Sequence, residues 1–230
     1  MQRAPSRRND MRKIGIMGGT FDPIHVGHLM LAEWAMEEAG LEEVWVVPTG
    51  VSYMKAGRSI LPGHERLHMA ELATRDNARF RCLDIEIRRE GYTYTYETLE
   101  LLKKQNPNTE IFFIVGADCL FSIENWRHPE KIFGTCTLVA AVRNDASMKE
   151  MEEKRRYLLE KFGGNIILMP FVRMSVTSTE IRERIRRGKS VRYMVPRETL
   201  AYIEEKGFYR DEEDRQHETT EQGNEEGSGQ

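Results

Sequence analysis

The chain has 230 residues, of which 40% are hydrophobic and 31% charged, and its formal net charge is −3. These values predict one soluble globular domain with a real core, and no apolar run reaches the roughly 18 residues that a membrane helix needs. The basic N-terminus has no apolar segment after it, which argues against a secretory signal, and the widely spaced Cys82, Cys119 and Cys136 suit a reducing cytoplasm rather than a disulfide framework or a zinc clip.

Charge is distributed unevenly along the chain. Residues 211–230 hold eight acidic residues and one arginine, whereas the rest of the chain carries 33 basic and 29 acidic residues. A mildly basic body suits a small anionic substrate but lacks the concentrated basic stripe of a nucleic-acid-binding protein. Because residues 211–230 contain almost no large apolar side chains, we predict a disordered acidic tail there, a disordered basic extension at 1–11 and a single folded domain over 12–210.

Strands and helices alternate along the predicted domain. Strands are predicted over 12–18, 43–48, 80–87, 110–115, 137–142 and 165–169. Helices are predicted over 25–39, 64–77, 94–105, 148–162, 177–187 and 196–205, with short helical pieces between 117 and 133 and a loop at 49–62. The alternation predicts an α/β fold with a doubly wound, mostly parallel sheet, in which 110–115 is central. Ligands of such sheets bind at the carboxyl ends of the strands, where the strand order switches.

The segment from Gly18 to His28 combines a strand end, a glycine turn and a helix start. Free N–H groups and the positive end of the helix dipole favour an anion at such a place. His25 and His28 are three residues apart, so in a helix they share one face above the same opening. The glycines at 15, 18 and 19 do not match the GxGxxG dinucleotide spacing, and we therefore predict a phosphate site.

A second helix start lies at 175–182, where hydroxyl side chains precede an arginine. By itself this pattern is typical of a capped, basic amphipathic helix. It also follows a strand and has hydroxyl donors to spare, which suits phosphate binding. Ser178 and Thr179 would then donate to phosphate oxygens, and Arg182 would offset their charge.

Three other segments follow predicted strands. Gly116 and Asp118 follow the central strand, where a carboxylate can accept hydrogen bonds from ribose hydroxyls. Trp126 offers a flat aromatic face, although by itself a partly buried core tryptophan is the simpler interpretation. Lys55 lies in the loop after the second strand, where a lone lysine is usually a solvated surface charge.

Together these motifs resemble those of the nucleotidyltransferase superfamily. Gly18-Gly19-Thr20-Phe21-Asp22-Pro-x-His25-x-Gly-His28 resembles its signature, and Ser178-Thr179-Glu180-Ile181-Arg182 resembles its ATP-phosphate motif. Thr93–Leu99, Gly116-x-Asp118 and Trp126 are similar to the nicotinate-nucleotide adenylyltransferase branch. Covering residues 12–208, the resemblance implies a Rossmann-like fold. It also implies transfer of the adenylyl group of ATP to nicotinate mononucleotide, which gives deamido-NAD and pyrophosphate in NAD biosynthesis.

The resemblance also implies a role for each residue. Catalytic roles fall to His25, His28, Lys55 and Arg182, although the Pro-His that precedes the family's lysine is absent before Lys55. ATP and its phosphates are assigned to Gly18, Gly19, Thr20, Phe21, Gly116, Asp118, Ser178 and Thr179. The nicotinate nucleotide is assigned to Tyr94, Thr95 and Trp126, with its carboxylate at the helix start and its pyridine ring on the tryptophan. Mg²⁺ would arrive with ATP and keep most of its waters, so no protein metal site is predicted.

Other functions stay open at this point. Another adenylyl- or cytidylyltransferase, such as pantetheine-phosphate adenylyltransferase, would keep both phosphate motifs, but Trp126 and Thr93–Thr98 argue against it. A non-catalytic nucleotide-sensing module is disfavoured by the intact His25, His28, Ser178 and Arg182. A generic NAD-binding oxidoreductase is disfavoured by the glycine spacing. We expect small-molecule substrates and no nucleic acid or membrane partner, and we leave open whether the chain forms a homo-oligomer.

Overall fold

The computed structural model describes residues 11–52, 60–142, 145–171 and 175–210, in which eight strands form two parallel sheets. The strands are β1 (Arg12–Gly19), β2 (Glu43–Pro48), β3 (Val51–Ser52), β4 (Phe80–Cys82), β5 (Tyr92–Thr93), β6 (Thr109–Gly116), β7 (Thr137–Val142) and β8 (Asn165–Pro170). The main sheet has the order β4-β2-β1-β6-β7-β8, and β3 pairs with β5 in the small second sheet. Every strand pair is parallel.

Helices connect the parallel strands. They are α1 (Val26–Ala39), α2 (Gly63–Thr74), α3 (Thr95–Gln105), α4 (Ala117–Ser122), α5 (Pro129–Thr135), α6 (Asp145–Phe162), α7 (Ser178–Arg186) and α8 (Arg197–Glu205), with a 3₁₀ turn at Ile123–Asn125. None of the helices in the described ranges is long and apolar enough to cross a membrane.

The central strand β6 shows why helices cover both faces of the sheet. Successive strand side chains point to opposite faces. Phe113 and Val115 belong to the core under α3–α6, whereas Phe112 and Ile114 belong to the core under α1, α2 and α8. A strand buried on both faces needs an unbroken apolar run, which is what the sequence has at 111–115. The predicted doubly wound α/β sheet and the central position of this strand are both confirmed.

The strand order switches between β1 and β6. From β1 the chain continues through β2 to β4 on one side, and β6, β7 and β8 then build the other side. The carboxyl ends of the two central strands, Gly19 and Gly116, therefore flank the crevice in which such sheets bind ligands.

Two predicted elements differ from the structure. The strand predicted over 80–87 ends at Cys82, and a turn follows in which the Arg88 N–H donates to Asp84 O at 3.0 Å. The alternating apolar pattern beyond Cys82 was misleading because the segment turns Glu86 inward, toward the loop after β2 and the start of α3. The predicted loop at 49–62 contains the short strand β3.

Other element boundaries move by only a few residues. The predicted helix over 64–77 ends at Thr74, and Asn77 turns the chain by bonding back to Thr74 O. The predicted disordered ends lie, apart from Met11, outside the described residues, so the proposed domain boundaries stay a prediction.

Candidate functional site

Two adjoining cavities open at the carboxyl ends of the central strands. The larger, of about 490 Å³, lies between the end of β1, the start of α1, the end of β6 and the start of α7. The smaller, of about 240 Å³, lies between the end of β1, the loop after β2 and the start of α3. Gly18, Thr20, Phe113, Cys119 and Trp126 line both cavities. Two ligands bound side by side would therefore meet beside the Gly18–Thr20 turn.

Most of the predicted site residues line these cavities. The larger cavity receives His25, His28, Gly18, Thr20, Gly116, Asp118, Ser178, Thr179, Arg182 and Trp126. The smaller cavity receives Gly19, Tyr94 and Thr95, and it shares Gly18, Thr20 and Trp126 with the larger one. Lys55 lies outside the described residues. Phe21 lines neither cavity, because its side chain is buried beneath the turn.

The two histidines form a stacked pair at the start of α1. Their ring centroids are 3.7 Å apart with an interplanar angle of 26°. His25 is the N-cap residue and His28 stands in the first turn, where its Nδ1 accepts a hydrogen bond from the His25 backbone N–H at 3.2 Å. Because Nδ1 is an acceptor, the neutral ring carries its proton on Nε2, and that proton is available to a ligand oxygen.

Burial controls the protonation of His25. The residue is only 6% exposed, and its Nδ1 has no hydrogen-bond partner among the described residues. Burial lowers the pKa of His25 to about 4, so the ring is neutral at physiological pH. It can therefore approach a phosphate as a hydrogen-bond donor rather than as a fixed cation.

This lowered pKa predicts an acid-sensitive fold. The neutral ring favours the folded state above the ordinary histidine pKa of about 6.5, and this contribution is lost as the pH falls toward 4. Relative to His25→Gln, the wild-type protein should lose about 2 kcal/mol of unfolding free energy between pH 7 and pH 5. Urea unfolding at several pH values measures this difference. Stability curves that stay parallel for wild type and His25→Gln across this pH range would contradict the prediction.

The turn beneath the histidines is closely packed. Phe21 is 2% exposed, has a left-handed φ of 50°, and its ring contacts that of His28 edge-on at 5.0 Å. A Cβ on Gly19 would lie 2.7 Å from the Phe21 ring, which explains the glycine at this position. Phe21 thus supports the His28 ring from below, and its own assignment to ATP binding stays a prediction.

Helix α7 is fixed against the same turn. Thr177 caps the helix by accepting from the Glu180 N–H at 3.1 Å. The Ser178 hydroxyl donates to Pro23 O at 2.9 Å, and Arg182 Nη1 donates to Asp22 O at 2.7 Å. These bonds join two helix starts around one opening, so the phosphate-binding features predicted separately from the sequence form one site.

Tyr209, near the C-terminal end of the described residues, bonds to the turn that contains Asp22 and Pro23. Asp22 is 3% exposed and its Oδ1 accepts a hydrogen bond from the Tyr209 hydroxyl at 2.8 Å. Burial and the neighbouring carboxylate raise the pKa of Tyr209, so it remains a donor. The turn is therefore tied to a residue 187 positions away, a contact that no local sequence pattern indicates.

Arg66 connects the walls of both cavities. This arginine is 4% exposed and donates to three backbone carbonyls, those of Thr20 at 2.6 Å, Thr49 at 2.6 Å and Leu61 at 3.0 Å. Burial lowers the pKa of Arg66, and the nearby Asp22 and Glu86 carboxylates oppose that shift. Thr20 directly follows β1, Thr49 directly follows β2, and both residues line the smaller cavity. Arg66 therefore fixes the loop after β1 relative to the loop after β2.

A buried glutamate forms part of the smaller cavity. Glu86 accepts from the Thr98 hydroxyl at 2.8 Å and from the Gly50 N–H at 3.4 Å, and it is 7% exposed. A Cβ on Gly50 would lie 2.3 Å from Glu86 O, so the close approach of these segments requires glycine. Glu86 thereby joins the loop after β2 to helix α3.

The start of α3 forms the other wall of the smaller cavity. Tyr94 is the N-cap residue and Thr95 the first helical residue, so the helix N–H groups and dipole end lie beside the cavity. Trp126 packs against Phe113 with ring centroids 6.3 Å apart and exposes part of its ring to both cavities. This arrangement suits an aromatic acid whose ring lies against Trp126.

No sequence pattern predicted the contributions of Glu86, Gly50 or Arg127 to the site. Glu86 and Arg127 are the charged side chains among the described residues that line the smaller cavity. Neither belongs to a short motif with an evident chemical role. The alternation of Glu86 with Ile85 and Ile87 predicts a solvent-facing strand residue, whereas the structure buries Glu86 in a turn.

The larger cavity suits phosphate oxygens better than a protein-bound metal. Its polar side chains are chiefly imidazoles, hydroxyls and a guanidinium, with Asp22 and Asp118 as the carboxylates among the described lining residues. Asp22 is buried and bonded to Tyr209. Within residues 11–52, 60–142, 145–171 and 175–210, no three side chains of histidine, cysteine or acidic type converge as metal ligands.

Comparison with known proteins shows which family the chain is similar to. The family model described as cytidylyltransferase-like matches residues 16–184. A probable nicotinate-nucleotide adenylyltransferase from Lachnoclostridium phytofermentans is 44% identical over 199 residues, covering 86% of this chain and 100% of the relative. A protein of the same name from Clostridium botulinum (strain Eklund 17B) is 40% identical over 202 residues, covering 88% of this chain and 100% of the relative.

Solved structures share the fold. Plasmodium falciparum nicotinic acid mononucleotide adenylyltransferase complexed with NaAD superimposes with a TM-score of 0.71 at 21% identity, covering 86% of this chain and 97% of that chain. A putative nicotinate-nucleotide adenylyltransferase from Vibrio parahaemolyticus gives a TM-score of 0.59 at 20% identity, with 87% and 97% coverage. At these identities the likeness concerns the fold alone.

Proposed function

This chain belongs to the nicotinate-nucleotide adenylyltransferase family, and from that membership we propose that it transfers the adenylyl group of ATP to nicotinate mononucleotide. The products are deamido-NAD and pyrophosphate, and the enzyme serves NAD biosynthesis. The observation that carries the proposal is the meeting of two cavities at Gly18 and Thr20, beside the stacked pair of His25 and His28.

ATP occupies the larger cavity. The starts of α1 and α7 direct their dipoles toward it, and Arg182 supplies a positive charge at its edge. Ser178 and Thr179 offer the first N–H groups of α7, and Thr179 adds a hydroxyl donor. The Ser178 hydroxyl, expected from the sequence to donate to phosphate, instead donates its one proton to Pro23 O and holds the Asp22–Pro23 turn. Gly116 and Asp118, at the end of β6, lie where the ribose hydroxyls of a nucleotide are received.

Nicotinate mononucleotide occupies the smaller cavity. Its pyridine ring lies against Trp126, and its carboxylate faces the start of α3 at Tyr94 and Thr95. This orientation directs the 5′-phosphate toward Gly18 and Thr20, where the two cavities join. The phosphate of one substrate is thereby brought against the phosphate chain of the other.

The reaction then needs positioning and charge stabilisation rather than a protein nucleophile. An oxygen of the nicotinate nucleotide phosphate attacks the α-phosphorus of ATP in line, one P–O bond forms, and the bond from the α-phosphorus to the bridging oxygen breaks. Pyrophosphate leaves with the electron pair of that bond. The attacking phosphate is already an anion, so no general base has to remove a proton.

The histidines stabilise the reacting phosphate. The Nε2–H of His28 donates to an oxygen of the α-phosphate, while Nδ1 is kept as an acceptor by the His25 N–H. His25 stacks on that ring and, being neutral, supplies a second imidazole donor without a fixed charge. Arg182 opposes the negative charge that accumulates on the departing pyrophosphate, and Lys55 in the family's lysine position is assigned the same task.

Mg²⁺ enters with ATP in this proposal. The donor set of the larger cavity would fit an ion that is held by phosphate oxygens and water rather than by protein carboxylates, and Asp118 keeps its assignment to the ribose hydroxyls. When bound, the ion supplies neutralisation of phosphate charge. We assign the protein to the cytoplasm and expect no nucleic acid or membrane partner.

Pyrophosphate release tests the proposed reaction directly. The protein is incubated with Mg-ATP and, in parallel, nicotinate mononucleotide, nicotinamide mononucleotide or phosphopantetheine. We expect rapid release with nicotinate mononucleotide and a much lower kcat/KM with the other two. Removal of Mg²⁺ by a chelator should abolish release, and its return should restore it.

Two results would contradict the proposal in different ways. Release with phosphopantetheine alone would keep the phosphate site but refute the assignments of Thr95 and Trp126. Binding of ATP without release in any mixture would instead indicate a nucleotide-sensing module.

A further inference from the structure

Arg127 is the cationic side chain, among the described residues, that lines the smaller cavity. It follows Trp126 directly and lies outside the larger cavity, whereas Arg182 lines the larger cavity and not the smaller. Each cavity thus has its own arginine. Since Arg182 is assigned to the phosphates of ATP, Arg127 is placed to meet the other substrate.

The backbone on both sides of Arg127 is held in place. The Trp126 N–H donates to Ile123 O at 3.0 Å, which closes the 3₁₀ turn before it. His128 has a left-handed φ of 51°, and α5 begins at Pro129 directly after it. The His128 ring also packs edge-on against Tyr96, with centroids 4.8 Å apart. The backbone position from which the Arg127 side chain extends is therefore fixed.

The guanidinium of Arg127 lies over the side-chain ring of the N-cap residue of α3. Its Cζ is 5.3 Å from the centroid of the Tyr94 ring, and Tyr94 is the N-cap residue of that helix. Among the described residues no ion pair joins Arg127 to a carboxylate, but its charge acts on Glu97 in the first turn of α3. Burial would raise the pKa of Glu97, whereas hydrogen bonds from Arg89 and Tyr96 and the charges of Arg89 and Arg127 lower it. Because Glu97 is already paired with Arg89, it offsets the Arg127 charge only in part, and the remainder adds to the positive end of the α3 dipole.

Glu86 gives the smaller cavity a polarity. It is bonded to Thr98, one turn further into α3 than Tyr94. Glu86 thus contacts α3 at Thr98 and Arg127 contacts it at Tyr94. These two helix positions are four residues apart, about 6 Å along the helix axis. A substrate with a carboxylate on its ring is repelled at the Glu86 end and attracted at the Tyr94 end, whereas its uncharged amide analogue feels neither force strongly.

We propose that Arg127 binds the ring carboxylate of the acceptor nucleotide and sets the preference of the enzyme for the acid over the amide. This inference rests on the proposed function, because it takes nicotinate mononucleotide as the occupant of the smaller cavity. In this arrangement the guanidinium N–H groups of Arg127 donate to one side of the carboxylate, and the first backbone N–H groups of α3 donate to its other side. Its planar guanidinium stays over Tyr94 as it does so.

Arg127→Met tests the proposal through a comparison of two acceptors. Losing one charge-assisted contact should raise KM for nicotinate mononucleotide by about 10- to 100-fold and leave kcat nearly unchanged. KM for nicotinamide mononucleotide should stay within about twofold, so the preference for the acid falls by the same factor. Arg127→Lys, which keeps the charge without the planar fork, should recover part of that preference.

Lys131→Met provides the matched control. Lys131 makes the same kind of contact, with Nζ 4.9 Å from the Tyr96 ring centroid, and it pairs with Glu100 at 3.3 Å, yet it does not line the cavity. This variant should keep wild-type constants for both acceptors. The comparison separates loss of a ligand contact from loss of a cation near the start of α3.

The possible outcomes have distinct meanings. An unchanged acid preference in Arg127→Met, or an equal rise of KM for both acceptors, would overturn the role of Arg127 and leave the proposed function intact. A wild-type protein that used neither pyridine nucleotide would overturn the proposed function and this inference with it. Titration calorimetry with nicotinate mononucleotide gives a second readout, in which Arg127→Met should weaken binding by the same factor.

Discussion

Replacing His28 by alanine should lower kcat by about 10²- to 10³-fold, the loss expected when one preorganised donor to a reacting phosphate is removed. The Nε2–H of this ring is aimed into the larger cavity because Nδ1 is already engaged with the His25 N–H at 3.2 Å. KM for ATP should change much less than kcat, since the contact strengthens as charge redistributes in the transition state.

The same substitution should leave the fold intact. His28 contacts the rings of His25 and Phe21, and losing these contacts should cost only about 1 kcal/mol of unfolding free energy. His64→Ala is a suitable control, because the side chain of His64 is 75% exposed on α2 and lines neither cavity. Pyrophosphate release and urea unfolding give the two quantities. A kcat within a few-fold of wild type would refute the role of His28.

The position of His25 and His28 at one opening could be predicted from the sequence because the residues that form this part of the site are close together along the chain. A glycine turn, a helix start and two histidines three residues apart specify their own geometry, and the structure places both rings on one opening. The start of α7 could be predicted for the same reason, since Thr177 caps its own helix. Alternation of strands and helices then brings the two starts to one edge of the sheet.

The supporting contacts could not be predicted in this way because they join distant segments. Asp22 receives the Tyr209 hydroxyl from 187 residues away, and Arg66 reaches Thr20 across 46 residues. An arginine in the first turn of an amphipathic helix is usually a solvated charge, and its three carbonyl partners appear only once the sheet is assembled. Glu86 was hidden for a related reason, since a turn replaces the predicted strand around it.

Arg66→Met should lower the unfolding free energy by about 3 kcal/mol or more, the largest of the stability effects expected here. The guanidinium supplies donors to the carbonyls of Thr20, Thr49 and Leu61, and methionine can fill the space but offers none of them. Each buried carbonyl left without a donor costs about 1–3 kcal/mol. The Asp22 and Glu86 carboxylates also lose the cation that lies near them.

Arg66→Met should also weaken the binding of both substrates. Arg66 fixes the turn after β1 relative to the loop after β2, and these segments border the two cavities. We expect KM to rise for ATP and for nicotinate mononucleotide in Arg66→Met, and Arg66→Lys to be intermediate, since one ammonium cannot reach three separate carbonyls. Arg75→Met, at the exposed end of the same helix, should match wild type in both measurements. If Arg66→Met unfolded within about 1 kcal/mol of wild type, the buried arginine would not be what holds the two loops together.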